Sequence, residues 1–435
     1  MTKPLRLGVA GVGVVGTSLT ELLHRRGNAL SQRAGRGIEL AAYSARRRRD
    51  GRPEIGDARF HDNAVELAAE GDIDAFVELI GGSDGVAFEA VKAALARGLP
   101  VVTANKAMLA AHGLELAALS EAHGAPLFYE AAVGGGIPVI KTLRESLAGN
   151  AIERVSGIFN GTCNYILSRM ETENLPFDVC LAEAQRLGYA EADPTFDVGG
   201  FDTAHKLAIL TSLAFGSKID ASAVSVEGIE SITLADLAAA DELGFRIKLL
   251  GVAERTAHGV EQRVHPTMVG KGAPLAQTMG VLNAVSIDGD AIGELTLVGP
   301  GAGGAATASS VAGDLVDVAR GTRLPVFGRP VASLLDADRV PMQRHEGGYY
   351  VRLSVVNRPG AMGAIAARFG ERMISLEAIM QKRATREAAA SGVVPVVLMT
   401  HGTTEALIRD ALARTLEEGV VRERPQVIRI EREAV

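Results

Sequence analysis

Leu5–Ala10 (LRLGVA), Gly11–Gly16 (GVGVVG) and Thr17–Arg26 (TSLTELLHRR) follow one another without a break. Their reading decides the fold. The first stretch is an apolar run of strand length, and the last has helical periodicity behind a Thr/Ser start. Between them lies a G-x-G-x-x-G turn. Gly11 permits the tight bend, Gly13 lets the backbone approach a pyrophosphate, and Gly16 lets helix and strand pack closely. The helix that follows offers phosphates its free N–H groups and a partial positive charge. Gly11, Gly13, Val14, Val15 and Gly16 are therefore candidate cofactor-binding residues.

Working outward, strand-like runs at 38–44 (IELAAYS), 75–80 (AFVELI) and 101–103 alternate with helical patterns at 63–70 and 85–97. Strands alternating with helices imply crossover connections and a parallel sheet. Residues 1–130 thus read as a doubly wound α/β domain. At the end of the second strand, an acid would bind a ribose 2′-hydroxyl. The chain has Ser44-Ala45-Arg46-Arg47 there instead. A guanidinium suits a 2′-phosphate, so NADP(H) is expected over NAD(H), with Arg46 or Arg47 on the phosphate. Thr103-Ala104-Asn105-Lys106 ends the fourth strand, where ligands gather in open α/β sheets. Thr103 and Lys106 join the candidate set.

Composition excludes several classes. The chain has 435 residues, 47% hydrophobic and 22% charged, which suits two to four globular domains at roughly 100–200 residues each. The formal net charge is -7 and the one dense basic run is Arg46–Arg49, so no nucleic-acid partner is expected. Cys163 and Cys180 cannot form a disulfide scaffold, which points to a reducing compartment. The N-terminus enters a strand directly, without a signal-peptide h-region, so a cytoplasmic protein without a membrane partner is expected. Leu295–Gly313 is uncharged and approaches membrane-spanning length. Its five glycines and one proline make it read as a loop flanked by buried structure.

After Glu130 the pattern changes. Val133–Pro138 is a glycine cluster, Thr203–Phe215 is a long helical stretch, and β-like runs lie at 153–159, 261–269, 284–288 and 294–298. Less regular interleaving suggests an α+β domain over 131–300. The helical segment after Gly304 can return to complete the first domain, at about 300–335. From Gly188 to Lys206 the chain places Glu191, Asp193, Asp197 and Asp202 ahead of an apolar helix. Asp202 and Lys206 are one turn apart and share a face. Such an acid cluster is what binding an ammonium group requires. Glu130, with the carbonyls of the glycine cluster, could ligate a hard monovalent cation through oxygen. Beyond residue 347, strand, helix, strand, strand, helix and strand follow (349–356, 361–372, 374–382, 393–402, 405–417, 426–432), a ferredoxin-like order.

These residues resemble homoserine dehydrogenases. The matches are GVGVVG at 11–16, TANK at 103–106, YEAAVGGGIP at 129–138, GTCNYIL at 161–167, the acidic segment at 188–210 and GPGAGG at 299–304. The resemblance implies an N-terminal Rossmann-like domain, an α+β substrate and dimerisation domain, and a C-terminal ACT regulatory domain over 347–435. It implies interconversion of L-homoserine and L-aspartate 4-semialdehyde with NAD(P). Gly188, Glu191, Asp197 and Asp202 match substrate-holding positions. Lys206 matches the usual proton donor, Lys106 a lysine that can share the proton chemistry, and Gly303 a glycine near the nicotinamide. Glu130 and the carbonyls of Val133, Gly135 and Ile137 match a sodium-binding loop. A homodimer or homotetramer is implied, with L-threonine as effector and the ACT domain adding contacts or a swivelling lid. Cys163 stands where Thr is common, and Asn357 where the ACT turn more usually has Asp. No kinase-like segment precedes the glycine turn, so a single-activity enzyme is expected.

Two rival readings remain at this stage. A semialdehyde dehydrogenase acting on an acyl phosphate would need an activated cysteine. A non-catalytic NADP-sensing regulator would not need the acid–lysine segment.

Overall fold

A computed structural model describes residues 3–49, 51–381 and 392–431. The N-terminal layer runs β1 (Leu5–Ala10), α1 (Val14–Ala34), β2 (Ile38–Ser44), β3 (Arg59–His61), α2 (Ala64–Glu70), β4 (Ala75–Glu78), α3 (Val86–Ala96), β5 (Val101–Thr103), α4 (Lys106–His123) and β6 (Leu127–Phe128). Its six strands are parallel, in the order β3-β2-β1-β4-β5-β6. The order reverses beside β1, which opens a crevice at the carboxyl ends of β1 and β4. Leu5, Leu7 and Val9 pack on one face of the sheet with Leu19 and Leu23 of α1. On the other, a Cβ at Gly8 would lie 2.6 Å from the Ile73 side chain. Burial on both faces explains the apolar run that identifies this strand.

The middle region contains α5 (Val139–Lys141), β7 (Ile152–Ile158), α6 (Gly161–Glu173), α7 (Phe177–Arg186), α8 (Thr195–Val198), α9 (Phe201–Phe215), β8 (Ser225–Val226), α10 (Leu234–Glu242), β9 (Phe245–Thr256), β10 (Gly259–Gly270), α11 (Pro274–Gln277), β11 (Leu282–Gly289) and β12 (Gly293–Pro300). Five strands pair antiparallel in the order β12-β11-β7-β9-β10. Gly251 on β9 faces α9, and a Cβ there would sit 2.9 Å from both Phe159 and Thr203. That close approach seats α9 on the sheet.

The expectation of a loop across Leu295–Gly313 is corrected. Leu295–Pro300 lies in β12, and α12 (Gly304–Arg320) begins after three residues. Ala308, Val311 and Leu315 of α12 join the core of β1 and α1. Its apolar stripe is buried against protein, and none of the described helices is long and apolar enough to cross a membrane.

The C-terminal unit runs β13 (Glu346–Val356), α13 (Ala361–Gly370), β14 (Leu376–Gln381), β15 (Val393–Thr400), β16 (Thr403–Thr404), α14 (Glu405–Glu417) and β17 (Gln426–Ile430). Lys382 and Arg432, the expected ends of two strands, lie outside the described residues. Its four main strands take the order β17-β13-β15-β14, with Ile365 and Phe369 of α13 and Ile408 and Leu412 of α14 buried on one face. No residue pattern signals that this unit shares a sheet with the middle region. β17 pairs parallel with β10, through Thr267↔Arg429 and Met268↔Ile430, and antiparallel with β13. One sheet therefore runs through both units.

Two buried ionic joints fix the seam. Arg429 holds Glu227 before α10 and Glu405 of α14. Asp236 of α10 is fully buried and accepts from Arg352 at 2.7 and 3.0 Å, from Tyr350 at 3.1 Å, and from Thr233, whose helix it caps. Removing one partner of a buried ion pair leaves an uncompensated charge. Asp236→Ala is expected to destabilise the protein by about 3–5 kcal/mol, read as a lower thermal midpoint. An unchanged midpoint would mean that the joint contributes nothing to stability.

Candidate active site

The glycine turn meets the demands that its spacing sets. Gly11 is at φ +98°, and a Cβ there would lie 2.5 Å from the Leu79 backbone. At Gly16 it would lie 2.1 Å from the Gly11 carbonyl, whereas nothing lies within 4 Å of one at Gly13. Gly13 thus faces open space, and α1 starts behind it without a side-chain cap. Val14 is exposed and Val15 half-buried. Gly303, at φ +105°, leads into α12, and a Cβ at Gly304 would touch Val14 and Ser18 of α1. Two helix N-termini therefore converge on one opening, which fits a pyrophosphate bridge.

Beside it, buried Glu78 at the end of β4 accepts from Thr103 at 2.5 Å and from the backbone of Ile80 and Gly81. Glu78 carried no sequence signal. Arg46 and Arg47 are exposed at the end of β2. Arg49, which motif reading passed over, reaches back to donate to the Val12 carbonyl at 3.0 Å.

Across the crevice, β7 delivers the chain to Phe159 and Asn160, and α6 begins at Gly161. Asn160 caps α6 by accepting from the Cys163 N–H at 2.8 Å. Thr162 and Cys163, in the first turn of α6, donate to the carbonyls of Tyr189 and Asp197 and so anchor the acidic turn. Gly200, at φ +89°, admits α9 close to Val226 and Val264. Asp202 then falls in the first turn of α9, where the helix dipole favours a negative charge.

Asp202 is the centre of the group. One carboxylate oxygen accepts from Lys206 at 2.7 Å and from Asn160 at 2.9 Å, and the other lies 3.1 Å from Lys106 at the start of α4. Lys206 also donates to the Phe159 carbonyl at 2.6 Å. Asn160 donates to Asp197 at 2.7 Å. Burial alone would raise the Asp202 pKa, but Lys206 and Lys106 overcome it and hold the carboxyl well below the usual range. Burial lowers the Lys206 pKa, Asp202 opposes that shift, and Lys106 adds to it. Burial raises Asp197, against the hydrogen bond from Asn160.

The structure brings Lys106, Asp197, Asp202 and Lys206 together but not the Glu191 side chain. α7 ends before Gly188, whose φ of +77° turns the chain outward. Glu191 is exposed, and its carbonyl accepts from Gln185 at 3.0 Å. Gly188 is exposed on the same turn.

The Glu130 side chain, expected as a cation ligand, is engaged by the backbone. Its two carboxylate oxygens accept from the backbone N–H groups of Ile140 and Lys141 at 2.8 and 2.9 Å. Burial and nearby Asp314 push it up to about 7. The carbonyls of Gly135 and Ile137 each take one hydrogen bond, from Ser310 and Val139. Each keeps a second lone pair, so a site built from backbone carbonyls, including that of buried Val133, is chemically open to a monovalent cation. Among the described residues no cluster of three or more His, Cys, Asp or Glu could hold a metal ion. Cys163 is fully buried and its thiol is pushed well up by burial, the opposite of an activated nucleophile. That disfavours acyl-phosphate chemistry.

A dinucleotide turn facing a buried acid flanked by two lysines defines an NAD(P)-dependent oxidoreductase. The family model for homoserine dehydrogenase matches residues 138–316, and that for the homoserine dehydrogenase NAD-binding domain matches 11–130. The homoserine dehydrogenase of Pseudomonas aeruginosa is 45% identical over 417 residues, covering 94% of this chain and 95% of that protein. That of Mycobacterium tuberculosis is 40% identical, covering 99% and 98%. A crystal structure from Thiobacillus denitrificans superposes with a TM-score of 0.92 at 40% identity, covering 99% and 98%. A hyperthermophilic archaeal homoserine dehydrogenase in complex with NADPH gives 0.62 at 28% identity, covering 72% of this chain and 97% of that one. The chain belongs to the homoserine dehydrogenase family.

Lys206→Ala should lower kcat by about 10²–10⁴-fold while changing the homoserine KM far less, because the lost interaction forms in the transition state. Near-normal turnover in steady-state assays would remove Lys206 from the chemistry.

Proposed function

We propose that Lys206 and Lys106 carry the proton and charge chemistry by which this enzyme interconverts L-homoserine and L-aspartate 4-semialdehyde, with NADP(H) preferred over NAD(H). The observation that carries this reading is the Asp202 carboxylate held between two lysines in the crevice facing the glycine turn. A nicotinamide dinucleotide bound at that turn would supply the hydride chemistry at the carbon bearing the substrate oxygen. Gly11, Gly13, Val14, Val15, Gly16, Thr103 and Gly303 hold the cofactor, and Arg46 and Arg47 read its 2′-phosphate. Asp197 and Asp202 take the substrate's ammonium and hydroxyl ends, with Gly188 and Glu191 on the rim. An aldehyde oxygen gaining negative charge needs a positioned cation. Lys206 directs two N–H bonds to Asp202 and the Phe159 carbonyl, which leaves a third for that oxygen. Its lowered pKa eases release of the proton.

Further parts of the reading rest on the family pattern. Glu130 and the backbone carbonyls of Val133, Gly135 and Ile137 would hold a sodium ion near the cofactor. The enzyme works in the cytoplasm as a homodimer or homotetramer formed through the middle region. The C-terminal unit is an ACT domain that takes threonine in a cavity of about 380 Å³ beside Asn357, Arg358, Gly360, Gln381 and Val394.

The direct test is reduction of NADP+ by the purified full chain with L-homoserine, followed by absorbance; no homoserine-dependent signal overturns the function. Replacing both Arg46 and Arg47 by Ala should raise the KM for NADPH at least about tenfold more than that for NADH, given the strength of charge-assisted phosphate contacts. Equal losses would show that these arginines do not read the phosphate. For the effector, deleting the C-terminal unit would strip β17 from β10, so side-chain variants are preferable. The double variant Asn357→Ala, Arg358→Ala should raise the threonine concentration for half-inhibition about tenfold with kcat unchanged. Undiminished inhibition would place the effector elsewhere.

A further inference from the structure

We propose that Asn160 is a positioning residue of the active site, whose side-chain amide bridges Asp197 and Asp202 and fixes the pair that grips the substrate. The inference rests on the functional reading above and deepens it. Asn160 is 4% exposed and follows the last residue of the β7 ladder by two positions. Its nitrogen lies 2.7 Å from an Asp197 oxygen and 2.9 Å from an Asp202 oxygen. An amide nitrogen carries two hydrogens, so each carboxylate receives one. The amide oxygen accepts from the Cys163 N–H. This fixes its orientation: a flipped amide would set its oxygen against two carboxylates and its NH₂ against a backbone donor.

The bridge answers a specific difficulty. Two carboxylates side by side repel, and one tends to take up a proton. Asp202 retains both lysines whatever happens at residue 160. Among the described residues Asp197 has no such ion pair at contact distance, and Asn160 is the leading influence holding its pKa down against burial. The charged and titratable groups acting on Asp197 are Asp202 and Lys206 of α9 and Lys106 of α4, with the Cys163 thiol of α6 on its carbonyl. Without the amide, Asp197 would be freer to turn away and would ionise only at higher pH. One residue earlier, the Phe159 carbonyl takes Lys206. The end of β7 thus sets the place of three reacting or binding groups.

The test compares wild type with Asn160→Asp and Asn160→Ser in the full chain. Both replacements keep an oxygen that can cap α6. Asp adds a carboxylate, and Ser is too short to bridge. We expect kcat/KM for homoserine to fall about tenfold or more, as for a lost hydrogen bond to a charged group, with the KM for NADP+ within twofold of wild type. The acid limb of the kcat/KM profile should move to higher pH, further in the Asp variant than in the Ser variant. If the Asp variant fails to fold, the Ser profile decides alone. An unmoved limb overturns the proposal, whether activity is retained or lost, because loss without a shift is what a merely structural cap would give. A wild type without homoserine-dependent turnover would instead overturn the functional reading, and the bridge with it.

Discussion

The site depends on one buried carboxylate shared by two ammonium groups from different layers of the molecule. Desolvating Asp202 alone would cost several kcal/mol. Lys206 on its own helix, Lys106 at the edge of the first sheet, Asn160 and the start of α9 together offset that cost. The two lysines would repel each other if nothing lay between them. Asp202 lets both stand in one crevice, and its two oxygens set where each points. Because Lys106 starts α4, which follows β5 of the parallel sheet, and Lys206 lies on α9, which packs on the antiparallel one, the group is complete only when the two layers meet. The packing of α12 against α1 therefore serves chemistry as well as stability: it ties residues beyond the middle sheet back to the glycine turn.

The same arrangement resolves a conflict in the proton chemistry. A lysine that delivers a proton near neutral pH needs its pKa lowered, yet an adjacent carboxylate raises it. Here burial and the second lysine together outweigh Asp202. Lys106 thus acts on Lys206 even if it never touches the substrate. The carboxylate restrains and orients Lys206, and the neighbouring cation weakens its hold on the proton.

Much of this was legible in the residues, for identifiable reasons. β1, β2 and β5 fall where the apolar runs between punctuating residues placed them. Asp202 and Lys206 were visible because helical spacing alone puts them on one face. β9 was not, because it is buried on both faces over most of its length and carries Lys248 inside, which erases the alternation that marks a half-exposed strand. α4 hid for a related cause: its apolar residues spread around the helix, and Gly113 lets Phe327 and Ile219 approach closely. An asparagine ahead of a helix is commonly no more than a cap, and only the fold reveals that the other end of the Asn160 amide faces two acids. Glu191 shows the converse. An acid within a dense acidic run is a natural ligand candidate, and the fold leaves its side chain exposed beyond the positive-φ turn at Gly188 rather than beside Asp202.

The shared sheet also limits how the C-terminal unit can influence catalysis. A swivelling lid needs a seam that opens, and this seam is closed by strand pairing and by Arg429 between Glu227 and Glu405. Opening it would expose buried charges, a far larger cost than most effectors can repay by binding. Smaller displacements are another matter. Glu227 precedes Gly228, where a Cβ would lie 2.5 Å from the Val198 carbonyl and 2.8 Å from Gly199. Asp197 is the next residue back. The turn that carries Asp197 thus packs closely on the residue after Glu227, which Arg429 of β17 holds. The path from the C-terminal unit to the acidic turn therefore runs through one continuous sheet and the Arg429–Glu227 pair, with no separable cover along it.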